Sequence, residues 1–549
     1  MRNITKIITV FCFSLQSIAI AQWNINTNQN NPICNIVGYD VSSPQIVSDG
    51  KGGGIIVWSD NRSGTTTDIY AQRINADGYV QWAIDGIPIC TATGNQSQVR
   101  IISDGEFGAI MTWVDTRNGN WDIYSQRINE AGIPLWANNG IVICDAQNFQ
   151  NKPRIIPYQN NGAIISWTDR RNNSTNDDIY TQRIDGNGTI QWAYNGIPVC
   201  TDCIESFSTT SIPQIVADNT TQEIFYTWPN LDASETDIYA QKLNSNGIPL
   251  WSTNGIPICT SPNIQSKQKS VLDNTGGIIV CWEDNRTNTG NNIFAQRINA
   301  LGNIQWALNG IEICNAAGYE QNPYMLADGN GGAYIAWEDE RFFVKDIYAQ
   351  KINNNGISQW QANGIPICTA AGTQSGPAIK TINPSGIVIA WEDNRNGSGD
   401  IYAQQITNNG NVLWASNGEI ITNASGHQYT FDLTNGISNN LIFTWEDNRN
   451  GPTDIYATTL NSNGTLNSLT TNSTEQISVY PNPTTSFINI NNPNNFKINK
   501  YIISDMSGKK ITELNGDSSS LNISMLSNGL YIMQIHSNHT IFSTKIIKH

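Results

Sequence analysis

Residues 44–90 read PQIVSDGKGGGIIVWSDNRSGTTTDIYAQRINADGYVQWAIDGIPIC. The stretch holds four short apolar runs rich in Val, Ile, Tyr and Trp, and turn-forming pairs such as Asp-Gly and Gly-Gly separate them. Runs of this length and punctuation predict four antiparallel strands, called a to d, connected in a meander. Sustained apolar spacing of three to four residues is absent from the sequence, so helices are not expected.

The same unit recurs along the chain, and two sets of tryptophans mark it. The first set, expected on strand b, is Trp58, Trp113, Trp167, Trp228, Trp282, Trp337, Trp391 and Trp445. The second set, expected on strand d, is Trp82, Trp136, Trp192, Trp251, Trp306, Trp360 and Trp414, with Trp23 as an eighth member. Only Trp121 falls outside the sets. A period near 54 residues predicts a repeat architecture, and four-stranded units repeated radially predict a β-propeller.

The two ends of the repeat region complement each other. The last repeat runs past Tyr456 without a strand-d Trp or Cys, whereas the N-terminal segment supplies Trp23 and Cys34. We therefore expect this segment to complete the sheet begun by residues 427–460. The prediction is an all-β, eight-bladed propeller closed by its N-terminal strand, without a long exposed sheet edge. An open solenoid is the alternative, and it would leave Trp23 unexplained.

Two segments carry a resemblance to known propellers. They are residues 58–78, WSDNRSGTTTDIYAQRINADG, and residues 391–410, WEDNRNGSGDIYAQQITNNG. They resemble the repeats of TolB-type and WD-repeat propellers, and the resemblance covers residues 22–460. The Gly-His and Trp-Asp dipeptides of WD repeats are missing from it. The resemblance implies a fold and no particular function, because propellers host binding, scaffolding and enzymatic proteins.

Charge and the N-terminal residues restrict the partners and the compartment. The formal net charge is −15 and the sequence contains no basic run, so nucleic acid and anionic membranes are poor partners. Residues 1–21 have the features of an export signal: Arg2 and Lys6, an apolar run, and small residues before a cleavage position between Ala21 and Gln22. A transmembrane span is not expected elsewhere, because other apolar runs fall short of about 20 residues.

Most cysteines share one position in the repeat. They are Cys34, Cys90, Cys144, Cys200, Cys259, Cys314 and Cys368. Equivalent positions in neighbouring repeats should lie too far apart for disulfide bonds, so we expect seven buried free thiols. A local disulfide between Cys200 and Cys203 is the alternative for that pair.

The C-terminal segment has a different character. A Ser/Thr/Asn-rich linker, about residues 461–475, precedes short alternating runs in residues 476–549, which predict a small Ig-like β-sandwich. This segment resembles the type A C-terminal sorting domain of the type IX, or Por, secretion system of Bacteroidetes. The matching positions are Tyr480, Pro481, Asn482, Pro483, Asp505, Gly508, Gly529, Tyr531, Lys545 and Lys548. The resemblance implies a cargo of that secretion machinery that reaches the cell surface or the medium, often with the domain cleaved. An ordinary Ig-like terminal domain is the alternative.

The loop between strands b and c contains the group of polar residues that most resembles a functional site. Its residues are Trp58, Asp60, Arg62 and Asp68 in one repeat, and Trp391, Asp393, Arg395 and Asp400 in another. Carboxylates at this spacing could hold calcium, but the Arg opposes a cation and nearly every repeat has the pair, which favours a structural role. With His427 as the sole histidine of the repeat region, a Ser–His–acid triad or a multi-His zinc site is nearly excluded. We predict no catalytic, metal or cofactor residues.

Three aromatic residues interrupt the b–c loops and are the candidate ligand contacts. Trp121 lies in one such loop, and Phe342 and Phe343 lie in another. Exposed aromatic side chains suit contact with sugars or proteins, and relaxed sequence in a tolerant loop is the alternative explanation. The predicted function is an exported, monomeric, non-catalytic propeller without a cofactor that binds a surface glycan or protein. The alternative is a secreted carbohydrate-active enzyme that uses carboxylates from several blades.

Overall fold

A computed structural model describes residues 23–172, 176–205, 212–232, 235–288, 290–383, 386–466, 478–480, 484–492, 497–505, 509–516, 518–537 and 541–549. These residues form 39 strands and one 3₁₀ turn, Ile437–Asn439, so the described chain is almost entirely β. The predicted signal segment 1–21 lies outside them, and so do most of the predicted linker and the residues Ala21, Gln22, Pro481, Asn482, Pro483 and Gly508. The chain divides into two compact units, Met1–Ser468 and Leu469–His549.

The described part of the first unit contains eight four-stranded antiparallel sheets. The first strand of the chain, β1, is Asn31–Cys34. Sheets 1 to 3 are β2–β5 (Val41–Ser48, Gly54–Asp60, Asp68–Ile74, Ile87–Cys90), β6–β9 (Gln96–Ser103, Ala109–Asp115, Asp122–Ile128, Ile141–Cys144) and β10–β13 (Gln150–Tyr158, Gly162–Asp169, Asn176–Ile184, Ile197–Glu205). Sheets 4 and 5 are β14–β17 (Gln214–Asp218, Glu223–Asp232, Glu235–Leu243, Ile256–Cys259) and β18–β21 (Gln265–Leu272, Ile278–Asp284, Asn292–Ile298, Ile311–Cys314).

The remaining sheets of this unit follow the same pattern. Sheets 6 and 7 are β22–β25 (Glu320–Ala327, Ala333–Asp339, Asp346–Ile352, Ile365–Cys368) and β26–β29 (Gln374–Asn383, Gly386–Asp393, Asp400–Thr407, Glu419–Thr422). Sheet 8 combines β30–β32 (Gln428–Asn435, Leu441–Asp447, Asp454–Leu460) with β1. Each sheet is a meander because short turns join strands whose alternating side chains face two neighbouring sheets.

The fourth strand of each sheet is shorter than the sequence predicts. The prediction that Trp82 and its equivalents lie on strand d was wrong, because Trp82 lies in the turn before β5. The side chain of Gln72 on β4 holds this turn: its Nε2 donates to the carbonyl of Ala83 at 2.7 Å, and its Oε1 accepts from the backbone N–H of Trp82 at 3.0 Å. The amide side chain therefore replaces backbone pairing there.

The N-terminal strand belongs to the sheet of the last repeat. β1 pairs antiparallel with β32, with Pro32 opposite Tyr456 and Asn31 opposite Ala457. Trp23 is 3% exposed, and its indole Nε1 donates to the carbonyl of Ala76 in sheet 1 at 2.7 Å. Trp82 makes the equivalent bond one sheet further on, to the carbonyl of Glu130 at 3.2 Å. The N-terminal segment thus makes the contacts that strand d and its turn make elsewhere.

The hydrophobic core lies between successive sheets. Trp113 of sheet 2, for example, packs with Ile55 and Ile69 of sheet 1. All eight tryptophans of the first set are 0% exposed. Gly86 lies over the ring of Trp58 with a φ of +86°, and a Cβ there would come 2.5 Å from the indole Cη2. Full burial of an indole makes truncation to Ala cost about 3–5 kcal/mol, so these rings contribute much of the packing energy.

The first strands of the sheets also contact one another. β2 contacts β6, and this pattern continues through β10, β14, β18, β22, β26 and β30; β2 in turn contacts β30. Seven of the first strands carry a register shift near their start, as between Ser42 and Gln45 of β2. The residue at this bulge has a positive φ, +56° for Ser43 and +50° for Thr430. Non-glycine residues adopt that conformation only where surrounding contacts stabilise it.

The second unit contains two smaller sheets. One joins β33 (Ser478–Tyr480), β34 (Phe487–Asn491) and β37 (Ser520–Asn522), and the other joins β35 (Ile498–Asp505), β36 (Lys510–Asn515), β38 (Gly529–Ser537) and β39 (Ile541–Lys548). Ile488 and Leu521 from the first sheet share a core with Tyr501, Met533 and Ile546 from the second. The two sheets therefore enclose one apolar layer, as in a β-sandwich.

Candidate functional site

The Asp and Arg of the b–c loop form a buried cluster. In sheet 1, the carboxylate of Asp60 accepts hydrogen bonds from the indole Nε1 of Trp58 at 2.8 Å and from Nε of Arg62 at 2.8 Å. The guanidinium of Arg62 stacks on Tyr70 with its Cζ 3.7 Å from the ring centre. Asp68 lies opposite Asp60, and burial raises the pKa of Asp68. The protein's own donors therefore occupy the carboxylate that a calcium ion would need.

The same cluster recurs in sheet 7. Asp393 accepts from Trp391 at 2.8 Å and from Nη2 of Arg395 at 2.6 Å. Asp400 accepts from the side-chain amide of Asn396 at 3.0 Å, and burial raises the pKa of Asp400. Further copies join Asp115 to Arg117, Asp169 to Arg171, Asp284 to Arg286, Asp339 to Arg341 and Asp447 to Arg449.

A cysteine from the preceding sheet completes most of these clusters. The Sγ of Cys368 lies 3.7 Å from Asp393 Oδ2 and accepts from Nη2 of Arg395 at 3.1 Å. Burial raises the pKa of Cys368 to about 12, so the thiol stays protonated. Cys34, Cys90, Cys144, Cys259, Cys281, Cys314 and Cys368 are buried and free. Because burial raises the pKa of each of these thiols, they stay protonated and are poor nucleophiles.

Sheet 4 is the exception, and its cysteine differs accordingly. Asn230 replaces the Asp of the cluster and accepts from Trp228 at 3.2 Å, and Asp232 stands where other repeats have Arg. Cys200 of sheet 3 therefore has no guanidinium to face, and it forms a disulfide with Cys203. The expectation of seven free thiols was wrong for Cys200, because the partner that holds the other thiols is missing at this sheet.

The three predicted ligand aromatics do not meet in one pocket. Trp121 is 38% exposed and packs on Phe149 with ring centres 5.3 Å apart. Phe343 is 99% exposed. Phe342 borders a cavity of about 530 Å³ together with Asp346 and other residues of sheet 6. Burial raises the pKa of Asp346 to about 6, with a further increase from Asp339.

Sequence reasoning missed a second cavity, which lies between the first strands. It has a volume of about 510 Å³ and is lined by strands β10, β14, β18, β22, β26 and β30 of sheets 3 to 8. Its lining includes Arg154, Gln214, Lys269, Tyr324 and Asp432. A pocket of this size, with polar groups from several elements, has the dimensions of a small-molecule site.

These lining residues occupy one equivalent position in the repeat, which we call the inner position. The inner position lies opposite the residue that precedes the strand-b tryptophan. Its occupants in sheets 1 to 8 are Gln45, Arg100, Arg154, Gln214, Lys269, Tyr324, Ala378 and Asp432. Neighbouring positions keep one residue type through most repeats, whereas this one varies among Gln, Arg, Lys, Tyr, Ala and Asp, and it carries a cation in three of the eight sheets. That variability was a sequence signal for the site.

The acidic groups of this cavity are satisfied by the protein. Asp432 accepts backbone N–H bonds from Ile46 at 3.0 Å and Leu433 at 2.8 Å. Glu338 accepts from the backbone N–H of Gly376 at 2.9 Å and from Nζ of Lys345 at 2.8 Å. These carboxylates therefore have close donors before any ligand is considered.

Two cationic side chains of the cavity lack close partners of opposite charge among the described residues. Neither Arg154 nor Lys269 forms an ion pair with a residue that the structure describes. Burial, together with the nearby Arg100, lowers the pKa of Arg154 to about 9. Burial likewise lowers the pKa of Lys269 to about 8, with Arg154 as the next cause. Neither cation therefore has a carboxylate at ion-pair distance among the described residues, and Glu283 acts on Lys269 only from further away.

Glutamates from strand b connect neighbouring sheets. The carboxylate of Glu392 accepts the backbone N–H of Thr430 at 2.7 Å, and that of Glu446 accepts the N–H of Ser43 at 2.6 Å. Both donors are bulge residues with positive φ. Burial raises the pKa of Glu392 and of Glu446, and the pKa of Glu392 is raised further by Glu338. Each of these bonds satisfies an N–H that the bulge removes from the sheet ladder.

One buried group offers metal-ligand types. Cys314, Glu320 and Asp339 place one ligand atom each within 4.8 Å of one another. The guanidinium of Arg341 already contacts Asp339 at 2.6 Å and Cys314 at 3.4 Å, so a fixed cation already engages two of the three residues. Glu320 is 0% exposed, and burial raises its pKa to about 8. These residues fit a protonated carboxyl better than a metal ion.

The described sorting-motif residues lie on or beside the strands of the second unit. Tyr480 ends β33 and is 56% exposed. Asp505 ends β35, where its carboxylate accepts the N–H of Lys509 at 3.0 Å, and it lies opposite Tyr531 of β38. Gly529 begins β38 opposite Lys548 of β39, and Lys545 lies on β39 opposite Ile532.

Solved structures align with this chain at low similarity. A protein of unknown function from Dyadobacter fermentans has 10% identity, covers 69% of this chain and 98% of its own, and has a TM-score of 0.39. An ulvan lyase from a polysaccharide lyase family has 10% identity, coverage of 80% and 97%, and a TM-score of 0.41. An endo-arabinase from Bacteroides thetaiotaomicron has 11% identity, coverage of 48% and 95%, and a TM-score of 0.27. Likenesses this distant support no conclusion about activity, and no curated protein matches the chain.

The C-terminal residues match a family directly. Residues 478–549 match the secretion system C-terminal sorting domain. The described residues contain no helix that is long and apolar enough to cross a membrane. The chain therefore carries a type IX sorting domain at residues 478–549, and it is secreted through that system to the cell surface or the extracellular space.

Proposed function

We propose that the secreted chain is a non-catalytic ligand-binding protein built on an eight-bladed β-propeller. In this proposal residues 22–460 form the propeller, residues 461–475 the linker and residues 476–549 the sorting domain. The chain acts as a monomer, and its ligand is a glycan or protein at the cell surface. The observation that carries the binding role is the cavity between the first strands, where inner-position residues of six sheets converge.

Two contacts support the closed eight-bladed ring. The pairing of β1 with β32 completes sheet 8 with N-terminal residues. The contact of β2 with β30 brings the first strands of sheets 1 and 8 together. A ring of this kind leaves a channel along its axis, into which the inner positions would point.

The glutamate contacts support a non-catalytic role. Glycosidases need one carboxyl group as an acid and a second as a base or nucleophile, both free to reach the bond. Glu338 is held by Gly376 and Lys345, and Glu446 by Ser43. These engagements favour a structural use of both carboxylates.

A binding screen combined with a turnover assay tests the proposal. Purified protein is applied to arrays of surface glycans and proteins, and each bound glycan is then incubated with it and analysed for products by chromatography. We expect saturable binding to a subset of ligands and unchanged ligand after incubation. Product formation that the variant Glu446→Gln abolishes would refute the non-catalytic role.

A secreted carbohydrate-active enzyme is the second candidate. It is favoured by the raised pKa of Glu392 and of Glu446, because a carboxyl group that stays protonated can act as a general acid. This candidate predicts that Glu392→Gln lowers turnover by about 100-fold or more while leaving glycan binding intact. Equal product release by the wild type and this variant would count against it.

A further inference from the structure

We propose that the cavity between the first strands is an oxyanion site, in which Arg154 and Lys269 bind a sulfate or carboxylate group of the ligand. This inference rests on the proposed function, because it assigns a ligand class to the same cavity. The protein has a net charge of −15, so a concentration of unpaired cations in its interior is unexpected from composition.

The charge balance of the cavity is the first support. Asp432 and Glu338 are engaged by backbone N–H groups, and Glu338 also by Lys345. Lys267 is paired with Glu283 at 3.1 Å. Arg154 and Lys269 are left over, without an ion pair among the described residues. Their charges are therefore available to a ligand.

The cost of burying two unpaired cations is the second observation that supports an oxyanion site. An unpaired charge away from bulk water is unfavourable, and a lowered pKa is the expected sign of it. Arg100, at the inner position of sheet 2, adds a third charge that lowers the pKa of Arg154. A bound oxyanion would relieve both the desolvation and the repulsion. Guanidinium groups bind sulfate and carboxylate through two parallel hydrogen bonds, which Arg154 can supply.

The neutral residues that line the cavity provide contacts for a ligand larger than a single inorganic ion. Gln214 lies at the inner position between the sheets of Arg154 and Lys269, and its amide can donate and accept hydrogen bonds. Tyr324 and Phe431 add aromatic surface. A cavity of about 510 Å³ is larger than an inorganic ion requires. The oxyanion can therefore come from a sulfated or uronic sugar, or from a free small ion.

Calorimetric titration at low ionic strength distinguishes these sources. The full-length protein is titrated with galactose 6-sulfate, glucuronate, inorganic sulfate and neutral galactose. We expect the charged sugars to bind and neutral galactose to bind at least about 10-fold more weakly. Weaker binding of inorganic sulfate than of galactose 6-sulfate would assign the oxyanion to a sugar, and equal binding would assign it to a free ion; both support the site.

Two charge-removing variants locate the binding. Arg154→Met and Lys269→Met should each weaken galactose 6-sulfate binding by about 10- to 100-fold. Both should unfold at or above the wild-type temperature without ligand, since each removes an unpaired cation, and this readout separates lost binding from lost folding. Lys51→Met is the control: it removes a lysine that is paired with Glu130 away from the cavity, and binding should not change.

Three results would overturn the oxyanion site. They are the absence of saturable binding of any oxyanion, equal affinity for galactose and its sulfate, and binding that both variants leave unchanged. Binding of neutral glycans with no preference for charge refutes this inference and leaves the proposed function standing. Turnover of a bound sugar refutes the non-catalytic role and leaves the oxyanion site standing.

Discussion

At the scale of single residues, all eight sheets share one backbone pattern, so a residue that differs from its equivalents in the other sheets points to a local difference in structure. Sequence alone identified the Trp–Asp–Arg positions, because the same residue types recur at a constant spacing. For Cys200 it left a free thiol and a disulfide with Cys203 open, and the structure has the disulfide, next to the sheet that lacks the arginine. The inner position escaped prediction because its residue type changes between sheets, and a variable position forms no recurring motif.

Glu320 is such an exception, and its position shows why. The equivalent residues in other sheets are Gln96, Gln150, Gln265, Gln374 and Gln428. Gln374 donates from Nε2 to the carbonyl of Gly372 at 3.0 Å, while its Oε1 has no partner among the described residues. Both carboxyl oxygens of Glu320 likewise have none there. No described group donates to the carboxyl oxygens of Glu320, so burial there disfavours the charged carboxylate even though Arg341 lies nearby.

We predict that Glu320→Gln stabilises the protein in a pH-dependent way. The pKa of Glu320 is raised to about 8 in the folded chain, whereas the usual pKa of a glutamate in an unfolded chain is 4.5. The stability of the wild type therefore declines as pH rises from 4.5 to 8, since the folded state binds the extra proton in that window. Chemical denaturation at several pH values should show a gain on the order of a few kcal/mol at pH 8 that shrinks towards pH 4.5.

The converse substitution is the matched control. Gln374→Glu should install a similar pH dependence in sheet 7, because it places a carboxyl group among the same backbone acceptors. A Glu320→Gln difference that stays constant between pH 4.5 and pH 8 would contradict the assignment of a protonated carboxyl.

Removal of one partner of the Asp–Arg cluster should be costly. Arg395→Met leaves the carboxylate of Asp393, which is 0% exposed, without its cation, so we expect a loss of about 3 kcal/mol in the free energy of unfolding. The double variant Asp393→Asn, Arg395→Met resembles sheet 4, where Asn230 bonds to Trp228, and should lose less than the single variant. Urea denaturation measures both; a double variant that is less stable than the single one would contradict the pairing.

At the scale of elements, the alternation of apolar residues in the sequence predicts which segments form strands better than it predicts where the strands end. Strands β3 and β4 carry the expected alternation and turn residues, and the structure has them. Strand d was predicted too long, because the side chain of Gln72 competes for the backbone of the turn around Trp82. Hydrophobic periodicity does not reveal where a side chain, rather than a neighbouring strand, forms the hydrogen bonds of the backbone.

The N-terminal strand should behave as a separable donor strand. Deletion of residues 22–36 removes β1 and exposes the edge of β32, so we expect the truncated protein to associate or aggregate. A synthetic peptide of residues 22–36 should bind it, raise its unfolding temperature and restore the monomer in analytical ultracentrifugation. A peptide with the same composition in scrambled order is the control. A truncated chain that stays monomeric with unchanged stability would contradict the role of β1.

At the scale of the whole molecule, the sorting domain and the proposed binding cavity lie in different units. The sorting family covers residues 478–549, whereas the cavity lies entirely in the first unit. The resemblance of the C-terminal segment predicted the route of export correctly, because its motif is specific to one secretion system. The repeats predicted no ligand, because their constancy reflects packing between sheets.

Deletion of residues 478–549 should separate the two roles. We expect the truncated protein to remain in the periplasm, since it lacks the segment that the secretion machinery recognises. Cell fractionation followed by immunoblotting measures its location, and calorimetric titration of the purified truncated protein should show ligand binding like that of the full chain. Secretion of the truncated protein at the wild-type level would contradict the assignment of the sorting role.

A crystal structure of the secreted protein tests the closed eight-sheet ring most directly. We predict that β1 pairs with β32 of the same molecule, with Pro32 opposite Tyr456, and that β2 lies beside β30. The inner positions of all eight sheets should then surround one channel. First and last sheets that lie apart, or a β1 that pairs with a neighbouring molecule, would contradict the ring.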